Sequence, residues 1–124
     1  MTTVKAVLFD LGNTLVKTAN VTEILKRILN LYGVNRSSRE VDEARKAAEM
    51  KISLEDYKLP YEEFWAKWNG RILKRLRVRK DLDRLSREIV RVWWDYANLE
   101  LYPDVAETLN HLRDRKLRLG IVTN

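Results

Sequence analysis

The feature that most constrains the fold is a short apolar run that ends at a single carboxylate. Val7 to Phe9 are apolar, and Asp10 follows them directly. Behind Asp10 come the turn formers Gly12, Asn13 and Thr14. This pattern indicates a buried strand that delivers Asp10 to a tight loop at its carboxyl end. In open parallel α/β sheets, that end of the strands is where ligands bind.

Asp10 has two interpretations at this point. A carboxylate at a strand end can attack phosphorus or an activated carbon and form a covalent intermediate. A cation beside it would neutralise both the carboxylate and an anionic substrate. Alternatively, Asp10 caps the turn by accepting hydrogen bonds from the amides that follow it.

The middle of the chain shows helical periodicity. It predicts helices over 20–33 and 39–50, a third that starts at Pro60, and a fourth over 81–98. Val21, Tyr32 and Tyr61 are predicted to lie on inner faces, and Asn20 with Glu23 resembles a capping box. Four helices with short connections predict an antiparallel bundle.

The end of the chain returns to a strand pattern. Pro103 and Asp104 start a helix, and the apolar run 117–122 ends at Thr123 and Asn124. The order is therefore that of a βαβ unit with a helical insertion after its first strand. A right-handed crossover would bring the ends of the two strands together, where a hydroxyl and loop amides facing Asp10 suit a phosphoryl group.

Two stretches carry a resemblance to a known family. V-L-F-D-L-G-N-T-L resembles the first motif of the haloacid dehalogenase (HAD) superfamily, and the segment 101–124, ending L-G-I-V-T-N, resembles the approach to its second motif. The resemblance implies an α/β fold: an incomplete HAD-like Rossmannoid parallel sheet with an inserted α-helical bundle cap. Its predicted parts are 1–15 and 101–124 for the core and 16–100 for the cap.

The resemblance also implies roles for individual residues. Asp10 would be the nucleophile and a Mg²⁺ ligand, and the carbonyl of Gly12 would be the second protein ligand of the metal. Thr123 would hold the transferring phosphoryl group, with the Asn124 amide near it and Asn13 as a further phosphate-binding residue. The implied reaction is hydrolysis of a small phosphate ester through an aspartyl-phosphate, with the cap excluding water.

The sequence departs from the family pattern in two respects. The family's phosphatases usually carry an Asp at the position of Gly12 as general acid and base, a function worth about 10²–10⁴ in rate. Dehalogenases and phosphonate hydrolases of the superfamily also lack that Asp, so these reactions are alternatives. The Lys of the third motif and the acidic residues of the fourth have no counterpart here. The chain therefore reads as the N-terminal part of such a protein, and alone it is predicted to be nearly inactive.

Composition leaves a rival interpretation, a non-catalytic module that binds a protein or nucleic acid. The net charge is +6, and nine Lys and Arg residues lie within 71–91. We interpret this stretch as a solvated helical face, so nucleic-acid binding is not expected. Trp65, Trp68, Trp93 and Trp94 are predicted core residues, except that one of the adjacent pair should lie at a boundary.

The remaining expectations concern location and partners. The chain has no cysteine and no apolar segment long enough to span a membrane, which predicts a cytoplasmic protein. The first strand should be left with one bare, apolar edge, because parallel strands are normally covered on both sides. We therefore expect a homodimer or a complementary C-terminal fragment as partner.

Overall fold

The computed structural model describes residues 3–17 and 19–123. The chain forms two compact units: a core unit, made of residues 1–19 and 98–124, and a cap unit, Asn20–Ala97. The strands are β1 (Ala6–Phe9), β2 (Val16–Lys17), β3 (Glu100–Leu101) and β4 (Arg118–Ile121). The helices are α1 (Val21–Leu31), α2 (Ser38–Met50), α3 (Tyr61–Arg75), α4 (Leu82–Tyr96) and α5 (Val105–Asp114), and a short 3₁₀ helix, Asp56–Lys58, precedes α3.

The core unit is built on a parallel strand pair. β1 pairs with β4 so that Ala6 lies opposite Arg118 and Phe9 lies opposite Ile121. Helix α5 leads into β4 and packs against it. The predicted fold class, a mixed α/β chain with a short parallel sheet and a helical insertion, is confirmed.

A second, antiparallel strand pair in the core unit has no counterpart in the sequence prediction. β2 pairs with β3, with Val16 opposite Leu101 and Lys17 opposite Glu100. The Tyr102 amide extends this pair by donating to the Leu15 carbonyl at 3.2 Å. Two residues per strand are too few to produce a detectable alternation of apolar and polar side chains.

The cap unit is a four-helix bundle. Each helix packs on the next, and α4 also packs on α1. The predicted apolar stripes meet at its centre, where the most completely buried side chains are Ile24, Leu25, Ile28, Leu29, Val41, Ile72, Leu73 and Ile89.

Three residues predicted to face inward are instead exposed: Val21, Tyr32 and Tyr61. Val21 and Tyr61 are the first residues of α1 and α3, and Tyr32 follows the last residue of α1. The prediction is wrong for these three residues because the bundle core does not extend to the helix ends.

The predicted capping box at the start of α1 is also wrong. Asn20 Oδ1 accepts from the Thr22 amide at 2.8 Å, while the Glu23 carboxylate accepts from the Ser38 hydroxyl at 3.1 Å. A capping box forms instead at α2, between Ser37 and Glu40. Glu23 is drawn to a tertiary partner, which local sequence does not reveal.

The tryptophans divide between core and surface. Trp68 is only 4% exposed, whereas Trp94 is 58% exposed and its neighbour Trp93 is half-buried. The prediction that one of the adjacent pair lies at a boundary is therefore confirmed. Within the described part of the chain, no helix has the length and apolar character needed to cross a membrane.

Candidate active site

The candidate site lies at the carboxyl ends of the parallel strands. Asp10 follows β1, and Thr123 lies two residues beyond the end of β4. The Val122 amide donates to the Phe9 carbonyl at 2.8 Å, so the two chains remain paired up to the point where they leave the sheet. Asp10 and Thr123 therefore emerge from adjacent strands at the same edge, and both are exposed. Asn124 lies outside the described residues.

The loop after Asp10 is held by backbone hydrogen bonds. The Leu11 carbonyl accepts from the amides of Thr14, Leu15 and Val16 at 3.3, 3.0 and 3.1 Å. The Asn13 amide donates to the Val16 carbonyl at 2.8 Å. Leu15 is buried and anchors the loop to the core unit.

Asn13 occupies the sharpest point of this loop. Its φ is 59°, in the left-handed region. Asn tolerates this conformation better than most residues because its short polar side chain can compensate locally. The residue type at position 13 is therefore explained by the turn itself, and a phosphate-binding role would be additional to that.

The Asp10 carboxylate accepts a hydrogen bond from a side chain of its own loop and from no backbone amide of the described residues. Its Oδ2 accepts from the Thr14 hydroxyl at 3.3 Å, and the bond links the two ends of the turn. The Leu11 carbonyl performs the capping that the alternative interpretation gave to Asp10. An exposed carboxylate free of backbone donors can bind a cation or attack an electrophile.

Thr14 is a residue of this site that the sequence prediction missed. Its hydroxyl orients one oxygen of Asp10. The available signal was the four-residue spacing from Asp10 to Thr14, which places both at the two ends of one turn.

Gly12 is not required by the backbone or by crowding. Its φ lies outside the left-handed region, and a Cβ added to it would meet no atom within 4 Å. A side chain at position 12 would thus be accommodated sterically. The absence of an acid or base here is a property of this sequence rather than of the fold.

The oxygen atoms at this edge of the sheet suit a hard cation. Magnesium prefers oxygen ligands and is commonly held by one or two carboxylates together with substrate phosphates. The Asp10 carboxylate meets that preference, and among the described residues no backbone amide donates to the Gly12 carbonyl. Within the same residues there is no group of three or more His, Cys, Asp or Glu that could hold a metal. The Asp10 carboxylate and the Gly12 carbonyl are oxygen atoms of this loop that could bind such an ion.

The fold and the strand-end carboxylate define a class of α/β proteins with a helical unit inserted after the first strand. The model of the haloacid dehalogenase-like hydrolase family matches residues 4–124. The chain belongs to this family of hydrolases, as the resemblance of its two motifs implied.

The structural comparison agrees in fold. The chain is similar to the crystal structure of a predicted phosphoglycolate phosphatase from Haemophilus somnus 129PT, with a TM-score of 0.58 and 20% sequence identity. The match covers 100% of this chain and 53% of that protein, so the chain spans about half of its length. No curated protein sequence matches the chain.

Proposed function

We propose that the core unit forms the nucleophile half of a phosphate-ester hydrolase. The observation that supports this most directly is the parallel pairing of β1 with β4, which brings Asp10 and the Thr123 segment to one sheet edge. In this proposal an Asp10 oxygen attacks phosphorus of a small phosphorylated substrate. The bond from phosphorus to the leaving oxygen breaks, and that oxygen takes its proton from solvent.

In this proposal the surrounding residues orient Asp10 and bind the phosphoryl group and the metal ion. Thr14 holds one oxygen of Asp10 so that the other is available for attack. Thr123, Asn13 and the Asn124 amide would donate hydrogen bonds to the phosphoryl oxygens. Asp10 and the Gly12 carbonyl would hold Mg²⁺, as hydrolases of this family generally use it, and the ion would offset negative charge on the phosphoryl group.

The lack of a side chain at Gly12 should slow the second half of this reaction, the hydrolysis of the aspartyl-phosphate. In the second half-reaction, water attacks the phosphorus of the aspartyl-phosphate and returns the Asp10 carboxylate. Gly12 has no side chain that could take a proton from that water. The phosphorylated form should therefore accumulate with a donor such as acetyl phosphate, whose acetate leaving group needs no proton from an acid, since proton transfer by a positioned side chain accounts for about 10²–10⁴ in rate.

The experiment measures phosphorylation rather than turnover. The chain is incubated with acetyl phosphate and Mg²⁺, quenched in acid, and its intact mass is determined. We expect the wild type to gain one phosphoryl group and the Asp10→Asn variant to gain none. Thr14→Val should slow labelling without abolishing it. An unlabelled wild type, or equal labelling of wild type and Asp10→Asn, contradicts the proposal.

A related reaction is the second candidate, and Gly12 is the observation that favours it. An Asp10 oxygen could displace halide from the carbon of a small haloacid, a step that requires neither Mg²⁺ nor an acid at position 12. Phosphonate hydrolysis is the third member of this set. Halide release that is insensitive to chelator and lost in Asp10→Asn, without acetyl phosphate labelling, would select the dehalogenase.

We further propose that additional polypeptide covers the β1–β4 pair. Its exposed apolar side chains are Val4, Leu8, Leu119, Ile121 and Val122. Parallel strands are normally buried on both faces, so this surface suits a complementary C-terminal segment that adds further strands. Hydrogen exchange tests this proposal. Slow exchange of the β1 amides in the chain alone would contradict the need for additional polypeptide. Protection of these amides only at high chain concentration would show that a second copy of the chain covers the strand pair.

A further inference from the structure

A cavity of about 360 Å³ lies within the cap unit, between the residues that follow α1, the connection from α3 to α4 and the first turns of α4. We call it the cap-end cavity. Its apolar lining comes from Val34 and Val78, which are half-buried, and from Leu85, which is buried. Tyr32 also lines it and is 37% exposed. Cavities that hold small molecules have volumes of about 300–1,000 Å³ and mostly apolar linings, so this one is of suitable size and character.

Hydrogen bonds between separate elements hold the walls of the cavity together. The Arg36 guanidinium donates to the Leu76 carbonyl from Nε at 3.2 Å and from Nη2 at 3.0 Å, which joins the α1–α2 connection to the end of α3. The Tyr32 hydroxyl donates to Glu88 Oε2 at 3.1 Å, which joins the end of α1 to α4. A cavity whose shape is fixed before binding loses less entropy when a ligand enters.

The backbone of the α3–α4 connection follows an uncommon path beside the cavity. Arg77 has a φ of 60° and Asp81 a φ of 51°, so two residues with side chains occupy the left-handed region within five positions. Between them, the Val78 amide donates to the Leu73 carbonyl at 2.9 Å. Residues that pay this conformational cost persist where the surrounding structure fixes them, and they cluster at ligand-binding sites. The connection therefore holds Val78 and Lys80 in the cavity lining in one defined arrangement.

The charges that line the cavity favour an anion. Lys80 and Arg84 both line it, and neither forms an ion pair within the described residues. Of the two acids in the lining, Glu88 is already paired with Arg91 at 2.7 Å, which leaves Asp81 to oppose two cations. The adjoining segment adds exposed cations that also have no ion pair among the described residues: Lys74, Arg75, Arg77 and Arg79. The summed positive field raises the local concentration of anionic ligands.

We propose that the cap-end cavity binds a small phosphorylated molecule with an apolar body, independently of the reaction proposed for the core unit. Lys80 and Arg84 would donate charge-assisted hydrogen bonds to the phosphoryl oxygens. Val34, Val78 and Leu85 would contact the apolar body. Two cations favour a phosphate monoester, which carries close to two negative charges at neutral pH, over a carboxylate, which carries one. The volume of the cavity suits a small molecule and is too small for a folded macromolecule.

The test is an NMR titration of the full chain, labelled with ¹⁵N, with 1-naphthyl phosphate in a buffer without divalent cations. We expect saturable shifts of the amides of residues 32–34 and 78–88. The dissociation constant should rise about fivefold in Lys80→Gln and in Arg84→Gln, as expected for loss of one solvent-exposed charge pair. The matched control is Arg75→Gln, which removes the same charge from an exposed residue outside the cavity lining. Its affinity should stay within about twofold of the wild type.

Two reference ligands separate the contributions of the phosphoryl group and the apolar body. Inorganic phosphate, which lacks the apolar body, should shift the same amides with at least about tenfold weaker affinity. 1-Naphthol, which lacks the charge, should also bind more weakly than 1-naphthyl phosphate. Equal affinity for either reference ligand, or equal weakening in Arg75→Gln and Arg84→Gln, overturns the proposal. Absence of saturable shifts at residues 78–88, or shifts confined to residues 10–14 of the core unit, overturns it as well.

Discussion

Trp68 offers the sharpest test of the cap unit's core. Its side chain is 4% exposed and meets Trp65 edge-on, with centroids 5.4 Å apart and an interplanar angle of 87°. Its indole Nε1 is buried and has no hydrogen-bond partner among the described residues. An unsatisfied buried N–H of this kind costs about 1–3 kcal/mol.

Trp68→Phe removes this N–H together with part of the ring. The lost apolar burial costs about 1–2 kcal/mol, since each buried CH₂ contributes about 0.8 kcal/mol. A void of roughly 40 Å³ adds about 1 kcal/mol at about 24 cal/mol per Å³. The edge-on contact with Trp65 can be kept by the smaller ring. Relief of the buried N–H offsets these losses, so the free energy of unfolding should change by no more than about 2 kcal/mol.

The assay is urea unfolding followed by far-UV circular dichroism, which reports on the helices of the cap unit. Trp68→Ala, which also removes the aromatic contact, should cost about 3–5 kcal/mol. Trp94→Phe is the matched control: the same chemical change at a 58% exposed site should alter stability by less than about 0.5 kcal/mol. A loss above about 2.5 kcal/mol in Trp68→Phe would refute the reasoning, because it would mean that Nε1 has an acceptor.

Three further predictions follow from local geometry. The pKa of Asp56 is held well below its ordinary value by Lys67, the Ser53 amide and Arg71. The melting temperature of the cap unit should therefore be constant above about pH 5 and fall as the pH drops below the ordinary carboxyl pKa of about 3.9. This fall should be less steep in the Asp56→Asn variant, which has no carboxylate to protonate there. Gly33→Ala should lower the free energy of unfolding in urea by about 1 kcal/mol, because Gly33 has a φ of +78° just after α1. An equal loss in Gly12→Ala would contradict the finding that a side chain fits at position 12. The basic stretch 71–91 should give no sequence-dependent binding of duplex DNA in filter-binding titrations at physiological salt; submicromolar, sequence-dependent affinity would contradict this.

Much of the candidate site could be read from local sequence. An apolar run that ends at Asp10 and turns at Gly12 and Asn13 identifies the strand end without tertiary information, because strand and turn preferences act over a few residues. Thr14 was missed because its role depends on the loop closing to bring its hydroxyl to Asp10. The roles proposed for Asp10, Asn13 and Thr123 in catalysis stay predictions until the labelling experiment is done.

The helix ends show where local reasoning stops. Ile24 and Leu25 follow Val21 at helical spacing and are buried, yet the periodicity of α1 could not show that the bundle core ends before Tyr32. Asn20 caps α1 as its residue type suggested, but the Glu23 carboxylate accepts a hydrogen bond from Ser38 of the next helix. Both outcomes depend on how far neighbouring helices overlap.

The sequence by itself determined the order of the five helices and the two parallel strands, the family and the position of the strand-end carboxylate, because each of these is encoded in short-range patterns of apolar and turn residues. Tertiary structure decided the pairing of β2 with β3, the burial of Asp56 between Lys67 and Arg71, and the exposure of apolar side chains such as Leu54. Those features join residues far apart in the chain, or they depend on whether another part of the chain covers a side chain. A pattern of single residues does not contain that information, since burial is a property of the neighbours that folding brings together.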